Sequence, residues 1–309
     1  MEWYSNPPIP REFIWRRIQS LTGLGLVIYI IFHLFTNSQA ALLIGNDGKG
    51  FIDAVNSIQN LPYLIVIEIL LLGIPIFLHS FWGIQYIFQA KYNSFPTDGS
   101  KPHLKYGRNK AYTWQRLTAW ILLVGIVAHV IHMRIIEHPT HVEVGSKNYY
   151  LIKLNYDSGL ETVADRLNVK IFNQQDVTRY ANSLVGPTQM TPVGWMEFEQ
   201  KEQLLNAMSD QNLKNDQVIV SANNFGTIEL LMLRDQFKSP LMMVLYTVFV
   251  LAAVFHAFNG LWTFLITWGI ILTNTSQRIA LKLSKGLMFL IGFLGLATIW
   301  LTYWINLKS

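Results

Sequence analysis

The 309 residues are 51% hydrophobic and only 14% charged, against about 25% charged in ordinary soluble domains. The net charge of +5 averages unlike parts: residues 135–240 carry nine Lys/Arg and thirteen Asp/Glu, and the basic excess elsewhere sits where membrane topology explains it, which excludes nucleic-acid binding. The absence of cysteine excludes thioether-linked haem and cysteine-ligated iron–sulfur clusters within this chain.

Five apolar runs follow one another near 18–45, 62–90, 111–135, 240–273 and 285–305. Each reaches the roughly 20 residues that span a bilayer as a helix, the form in which a lone segment satisfies its own backbone in lipid. Arg11, Arg16 and Arg17 precede the first run, which is too long for a signal-peptide core and reads as an uncleaved anchor. Pro62 opens the second run. Pro75 lies inside it and predicts a kink or a freed carbonyl. Between 138 and 239 the sequence turns polar, with strand patterns at 149–154 and 218–220 and amphipathic helix patterns at 197–208 and 227–237. This insertion reads as a small α+β domain, since it is too long for a structureless loop. Pro240 opens the fourth run, and Trp300, Tyr303 and Trp304 near the end of the fifth suit an interfacial belt.

Most of the remaining basic residues cluster at 91–116 and 278–285, and the 46–61 connection has only Lys49, set against Asp47 and Asp53. With five spans, all the basic stretches fall on one side, which places the N-terminus in the cytoplasm and Ser309 and the insertion outside. The expected fold is an all-α membrane protein of five transmembrane helices, a four-helix bundle plus a fifth helix, with an α+β extracytoplasmic insertion. The domains read as 1–137, 138–239 and 240–309.

Four histidines, His33, His79, His129 and His256, lie one in each of the first four runs. His79-Ser80-Phe81-Trp82-Gly83 matches His256-Ala257-Phe258-Asn259-Gly260. His33 and His129 follow Leu21-Thr22-Gly23 and Leu117-Thr118-Ala119 at equal spacing. A helix–His–helix–His unit therefore occurs twice. At ~1.5 Å per residue, His33 and His129 fall in the outer half of the bilayer and His79 and His256 in the inner half, ~15 Å apart along the normal. Two pairs of imidazoles at two depths suit two haems, each with two axial histidines. Gly83 and Gly260, one turn after a proposed ligand, leave room for a flat macrocycle; the competing reading is a GxxxG-like packing site. A single intramembrane histidine is more often a hydrogen-bonded core residue or proton relay, but four in matched pairs reverse that preference. His132 competes for the outer site without belonging to the repeat. His103, His138 and His141 are expected in surface loops.

The stretches Arg11–Leu21 (REFIWRRIQSL), Phe32-His33-Leu34, Leu61-Pro62-Tyr63 through Glu68 to His79, Trp114–Thr118 (WQRLT) with His129-Val130, and Phe255-His256 through Asn259–Trp262 (NGLW) to Trp268-Gly269-Ile270 and Ser276-Gln277-Arg278 cover nearly all of the membrane segments. They resemble the five-helix, di-haem cytochrome b (b558-type) subunit of succinate dehydrogenase and fumarate reductase, the anchor of succinate:menaquinone oxidoreductases. The resemblance implies two b haems on the same four histidines. It also implies a flavoprotein with FAD and an iron–sulfur subunit docked on the cytoplasmic face, and electrons passing through the inner and then the outer haem to menaquinone. The insertion at 138–239 has no counterpart in compact members. Where some members carry a proton-conducting glutamate before the fourth-helix ligand, this chain has Val254.

Gln19 and Ser20 precede His33 by the spacings at which Gln115 and Arg116 precede His129. All four return near their ligand's face ~20 Å further inward, near the inner haem's propionates, where Arg116 would neutralise charge; interfacial snorkelling is the competing reading for Arg116. Glu68, eleven residues before His79 and on its face, lies near the outer level. Glu68, Asn37 and Asp53 are the outer-side polar candidates for quinone and proton exchange. The alternatives are a cytochrome b anchor of hydrogenase or formate dehydrogenase type and a haem-free transporter with histidine relays. Cytochrome bc-type proteins usually put two ligands on each of two helices, which disfavours that class.

Overall fold

A computed structural model describes residues 9–42, 46–89, 94–96, 98–99, 103–184, 186 and 191–309. They are mostly helical, with one small antiparallel sheet. Five helices are long and apolar enough to cross a membrane: α1 (Arg11–Ser38), α3 (Leu64–Phe88), α4 (Gly107–Ile136), α9 (Pro240–Thr267) and α10 (Asn274–Asn306). Shorter helices are α2 (Lys49–Gln59), α5 (Ser158–Leu167), α6 (Gln174–Ser183), α7 (Pro192–Ser209) and α8 (Phe225–Gln236).

Several boundaries differ from the periodicity reading for local reasons. The last helix begins at Asn274, well before 285, because Thr273 caps it: its Oγ1 accepts from the Ser276 amide at 3.1 Å. Pro240 is the first residue of α9, but Pro62 stands before α3, which starts after Tyr63 in the left-handed region (φ 58°). Pro75 lacks the N–H that the preceding turn would use, and the chain answers with a π-helical turn at Ile69–Gly73, where the Ile74 amide bonds the Ile69 carbonyl. Similar wide turns close α4 at His132–Ile136 and α10 at Thr302–Asn306.

By its contacts the chain forms two compact units. The first comprises Met1–Leu34, Tyr63–Val127 and Val248–Phe293, and the second Phe35–Pro62, Ala128–Thr247 and Leu294–Ser309. The first is built from membrane-length helices. Trp15 stacks on Trp82 with ring centroids 4.6 Å apart, and Arg17 lies 4.9 Å from the centre of the Trp268 ring.

The second unit holds the sheet. Strands β1 (Thr140–Val144), β2 (Lys147–Asn155), β3 (Lys170–Phe172) and β4 (Gln217–Ala222) are ordered β1-β2-β4-β3, all antiparallel, with Leu151 opposite both Thr140 and Ser221. Leu151, Val177, Met208 and Ile219 form a buried core. Helix α8 is buried on nearly all sides rather than amphipathic, because α2 packs on it as well as strands β2 and β4. The α2 contact is close. A side-chain carbon at Gly226 would lie 2.5 Å from the Ile52 carbonyl, and the Gly226 amide donates to Asn56 Oδ1 at 2.7 Å. His141 belongs to β1 rather than to a loop, stacked on Tyr150 at 4.7 Å, while His138 is exposed just before that strand.

The most buried cation also sits here. Arg234, 1% exposed, reaches both oxygens of Asp157 at 2.7 and 2.8 Å and the Leu307 carbonyl at 2.6 Å. Lys238 adds a contact of 3.1 Å to Asp157. Burial alone would raise the Asp157 carboxyl, but Arg234 and Lys238 outweigh it and hold the group well below its usual range, at about 2. The end of the chain is thereby tied to the start of α5. Arg166 ties it further, donating to the Ser309 carbonyl at 2.7 Å and pairing with Asp47.

Candidate haem site

In the first unit α3 brings His79 to His256 of α9. Their ring centroids are 6.2 Å apart with planes at 79°. His79 Nδ1 lies 3.0 Å from the Gln19 carbonyl, and His256 Nδ1 lies 3.1 Å from the Gln115 carbonyl. A carbonyl oxygen only accepts, so both Nδ1 atoms carry the proton and each Nε2 keeps its lone pair for a metal. Two imidazoles sharing one metal from opposite sides, at about 2 Å per nitrogen, have centroids roughly 6 Å apart. Among the described residues no cluster of three or more His, Asp or Glu side chains is arranged to hold a metal ion. A metal between these rings would bring its other ligands with it, as the iron of a porphyrin does.

The two carbonyls are held alike. Thr22 Oγ1 donates toward the carbonyls of Ile18 and Gln19, both at 2.9 Å. Thr118 Oγ1 does so toward Trp114 and Gln115, at 2.8 and 3.2 Å, and also lies 3.3 Å from His256 Nδ1. The Gln115 side chain donates to the His256 carbonyl at 3.0 Å and accepts from Asn259 Nδ2 at 2.7 Å. The repeated Gln-x-Leu-Thr string is the sequence signal for this support, but spacing gave only the face on which Gln19 and Gln115 lie, not the use of their main-chain carbonyls.

Side-chain carbons at Gly83 and Gly260 would meet only the tips of Gln19 and Gln115, at 3.6 and 3.7 Å, which are ordinary contacts. Close helix packing therefore does not demand glycine at either place. Gly23 was not singled out in sequence. A carbon added there would stand 2.9 Å from His79 Cε1, so the imidazole itself occupies that gap.

Ser20 Oγ accepts from Trp268 Nε1 at 3.2 Å. Arg116 donates to the Tyr112 carbonyl at 2.8 Å and stacks over the Tyr112 ring. Glu68 is half-buried just before the π turn of α3.

His33 and His129 fall in different units, and each has its own surroundings. His33 Nδ1 lies 3.3 Å from the Tyr29 hydroxyl in the first unit. His129 Nδ1 lies 3.1 Å from the Tyr246 hydroxyl in the second. His132 turns instead toward Glu137, at 3.8 Å. In the second unit Asn37 is half-buried in the last turn of α1, and Asp53 is exposed on α2.

The chain is 24% identical over 290 residues to the succinate dehydrogenase cytochrome b558 subunit of Bacillus subtilis (strain 168), an alignment covering 94% of this chain and 96% of that one. It is a multi-pass bacterial membrane protein. No protein-family model and no solved structure matches it.

Proposed function

We propose that the chain is the di-haem cytochrome b membrane anchor of a succinate:quinone oxidoreductase, the class that its Bacillus subtilis relative's name describes. The observation that carries this reading is the His79–His256 pair, 6.2 Å between ring centres with both Nδ1 atoms turned to main-chain carbonyls of matching repeats. His79 and His256 are assigned the inner haem. His33 and His129 are assigned the outer haem on the sequence repeat and on their depth along the helices. Bound on these residues, haem b supplies one-electron transfer between the FAD and iron–sulfur clusters of partner subunits on the cytoplasmic face and menaquinone toward the outer face.

The chain's own residues then have distinct tasks. The Gln19 and Gln115 carbonyls fix the imidazole tautomers, and Thr22 and Thr118 hold those carbonyls in place. Gly83 and Gly260 would leave a macrocycle its space, and Ser20 and Arg116 would hold its carboxylates. Glu68, Asn37 and Asp53 are the groups for proton exchange with quinone. The N-terminus is cytoplasmic, and the 138–239 insertion stands outside. Pyridine haemochrome analysis of the purified chain should give two non-covalent b haems per polypeptide, and flavin and iron–sulfur subunits should co-purify. Zero haem would replace this reading with a histidine-relay transporter. Haem without those partners would favour an anchor of hydrogenase or formate dehydrogenase type.

A further inference from the structure

A cavity of about 340 Å³ opens between α4 and α9 in the first unit. Each helix offers one stripe to it: positions 108, 111, 112 and 115 on α4 and positions 259, 262, 263 and 266 on α9, the i, i+3, i+4, i+7 spacing of a single face. Its lining surface is mainly apolar, but it carries positive charge. It holds Arg108 and Arg116 and, among the described residues, no carboxylate.

Arg108 is held in place by neutral partners. Its Nη2 donates to Gln277 Oε1 at 2.5 Å, and its guanidinium lies 5.4 Å from the centre of the Trp262 ring. The Trp262 indole in turn donates to the Gln277 carbonyl at 3.1 Å. The side chain is thus oriented without having its charge neutralised by these contacts. A planar guanidinium in a fixed pose is suited to a phosphate, which accepts its parallel N–H groups. Tyr112, exposed on α4, also lines the cavity, a residue type that settles at the headgroup level of a bilayer. Basic pockets between membrane helices are known sites for anionic headgroups, and the volume falls in the range of small-ligand pockets, about 300–1,000 Å³.

We propose that this cavity binds the phosphate-bearing headgroup of an anionic phospholipid, with Arg108 as its anchoring residue. The inference needs only that α4 and α9 lie in a membrane, and it stands whether or not the chain carries haem. Arg116, in the same lining, is assigned above to a haem carboxylate, so the proposal concerns Arg108 alone, and the haem assay separates the two oxyanion sources.

Full-length protein is purified in neutral detergent, stripped of lipid and titrated with phosphatidylglycerol or with phosphatidylcholine of the same acyl chains. The melting temperature is followed, and b haem is assayed on the same samples. Phosphatidylglycerol should give a saturable rise that phosphatidylcholine does not, weakened by salt. Arg108→Gln should lower the phosphatidylglycerol affinity roughly tenfold, the loss of one charge-assisted contact, with haem content unchanged. Arg179→Gln, on the exposed face of α6, should leave the response intact. Equal responses to the two lipids, or an Arg108→Gln protein that responds like the parent, would overturn the proposal. So would loss of haem in Arg108→Gln with no lipid-specific response in the parent, which assigns the cavity to a haem carboxylate. If Arg108→Gln does not fold, Arg108→Lys takes its place, keeping the charge but not the fork. Severalfold weaker phosphatidylglycerol binding is then expected, and unchanged affinity overturns the proposal.

Discussion

The two units hold their key polar groups by different means. In the first, the imidazoles of His79 and His256 rest on main-chain carbonyls, which do not titrate. In the second, the Arg234 guanidinium rests on a carboxylate as well as on main chain, and Glu229 is a carboxyl turned away from water. The contrast separates a site whose hydrogen-bond acceptors do not titrate from a scaffold whose stability depends on pH. On the proposed haem reading the former suits a redox centre, whose ligand tautomers should not drift as protons move nearby.

The strongest way to break this contrast is Arg234→Met. It leaves the Asp157 charge facing a buried space, and a loss of about 3–5 kcal/mol is expected, read by denaturant unfolding with hydrogen exchange in β2 and β4. A loss below about 1 kcal/mol would mean that the chain end and α5 are joined by other contacts.

The pH dependence of the second unit has two arms. Burial pushes the Glu229 carboxyl up to about 7, against the opposing pull of Arg134. Its folded value lies above its unfolded one, so the native state takes up the proton and stability falls as pH rises from about 4.5 to 7. Glu229→Gln should remove that slope and add about 1–3 kcal/mol at pH 8. Asp157 has the opposite sign: its contribution is present above about 3.8 and lost as pH falls toward 2. Melting temperature against pH for the parent and Glu229→Gln tests both arms; an unchanged alkaline slope in the variant would remove Glu229 from the account.

The first unit is sharpened by three glycines. Gly23→Ala places a carbon against the His79 ring and should cost about 1–3 kcal/mol together with one haem. Gly83→Ala and Gly260→Ala clash with no protein backbone, so stability without haem should stay within about 0.5 kcal/mol while haem content falls. Haem content equal to the parent's in Gly83→Ala and Gly260→Ala would argue against a macrocycle beside these helices. The smallest effect belongs to Thr118→Val, about 1 kcal/mol from one lost hydrogen bond, seen as a shifted midpoint of one haem rather than its loss.

Much of this was legible in the chain because a membrane helix has few polar residues, and each stands out. Repeat and depth joined His79 with His256 in sequence, and their rings lie together. Spacing also put Gln19 and Gln115 at the level of these rings. It did not indicate that main-chain carbonyls would hold the imidazoles, since periodicity gives a face and not the atom used. In the second unit strand patterns at 149–154 and 218–220 marked the two central strands, while β1 and β3 are edge strands of five and three residues, β1 alternating over too short a run to stand out. The Arg234–Asp157 pair was invisible for a different reason: its members are 77 residues apart, and nothing local to either marks the other. Helix α2 lies between the first two apolar runs, too short to register as one, although Phe51 is buried on it and α8 packs against it.

The central claim is that His79 and His256 grip the same haem. Redox titration of purified His79→Ala and His256→Ala proteins tests it most directly. Both variants should keep one b haem and lack the same redox centre. Two haems retained in either variant, or different centres missing from the two, would contradict it.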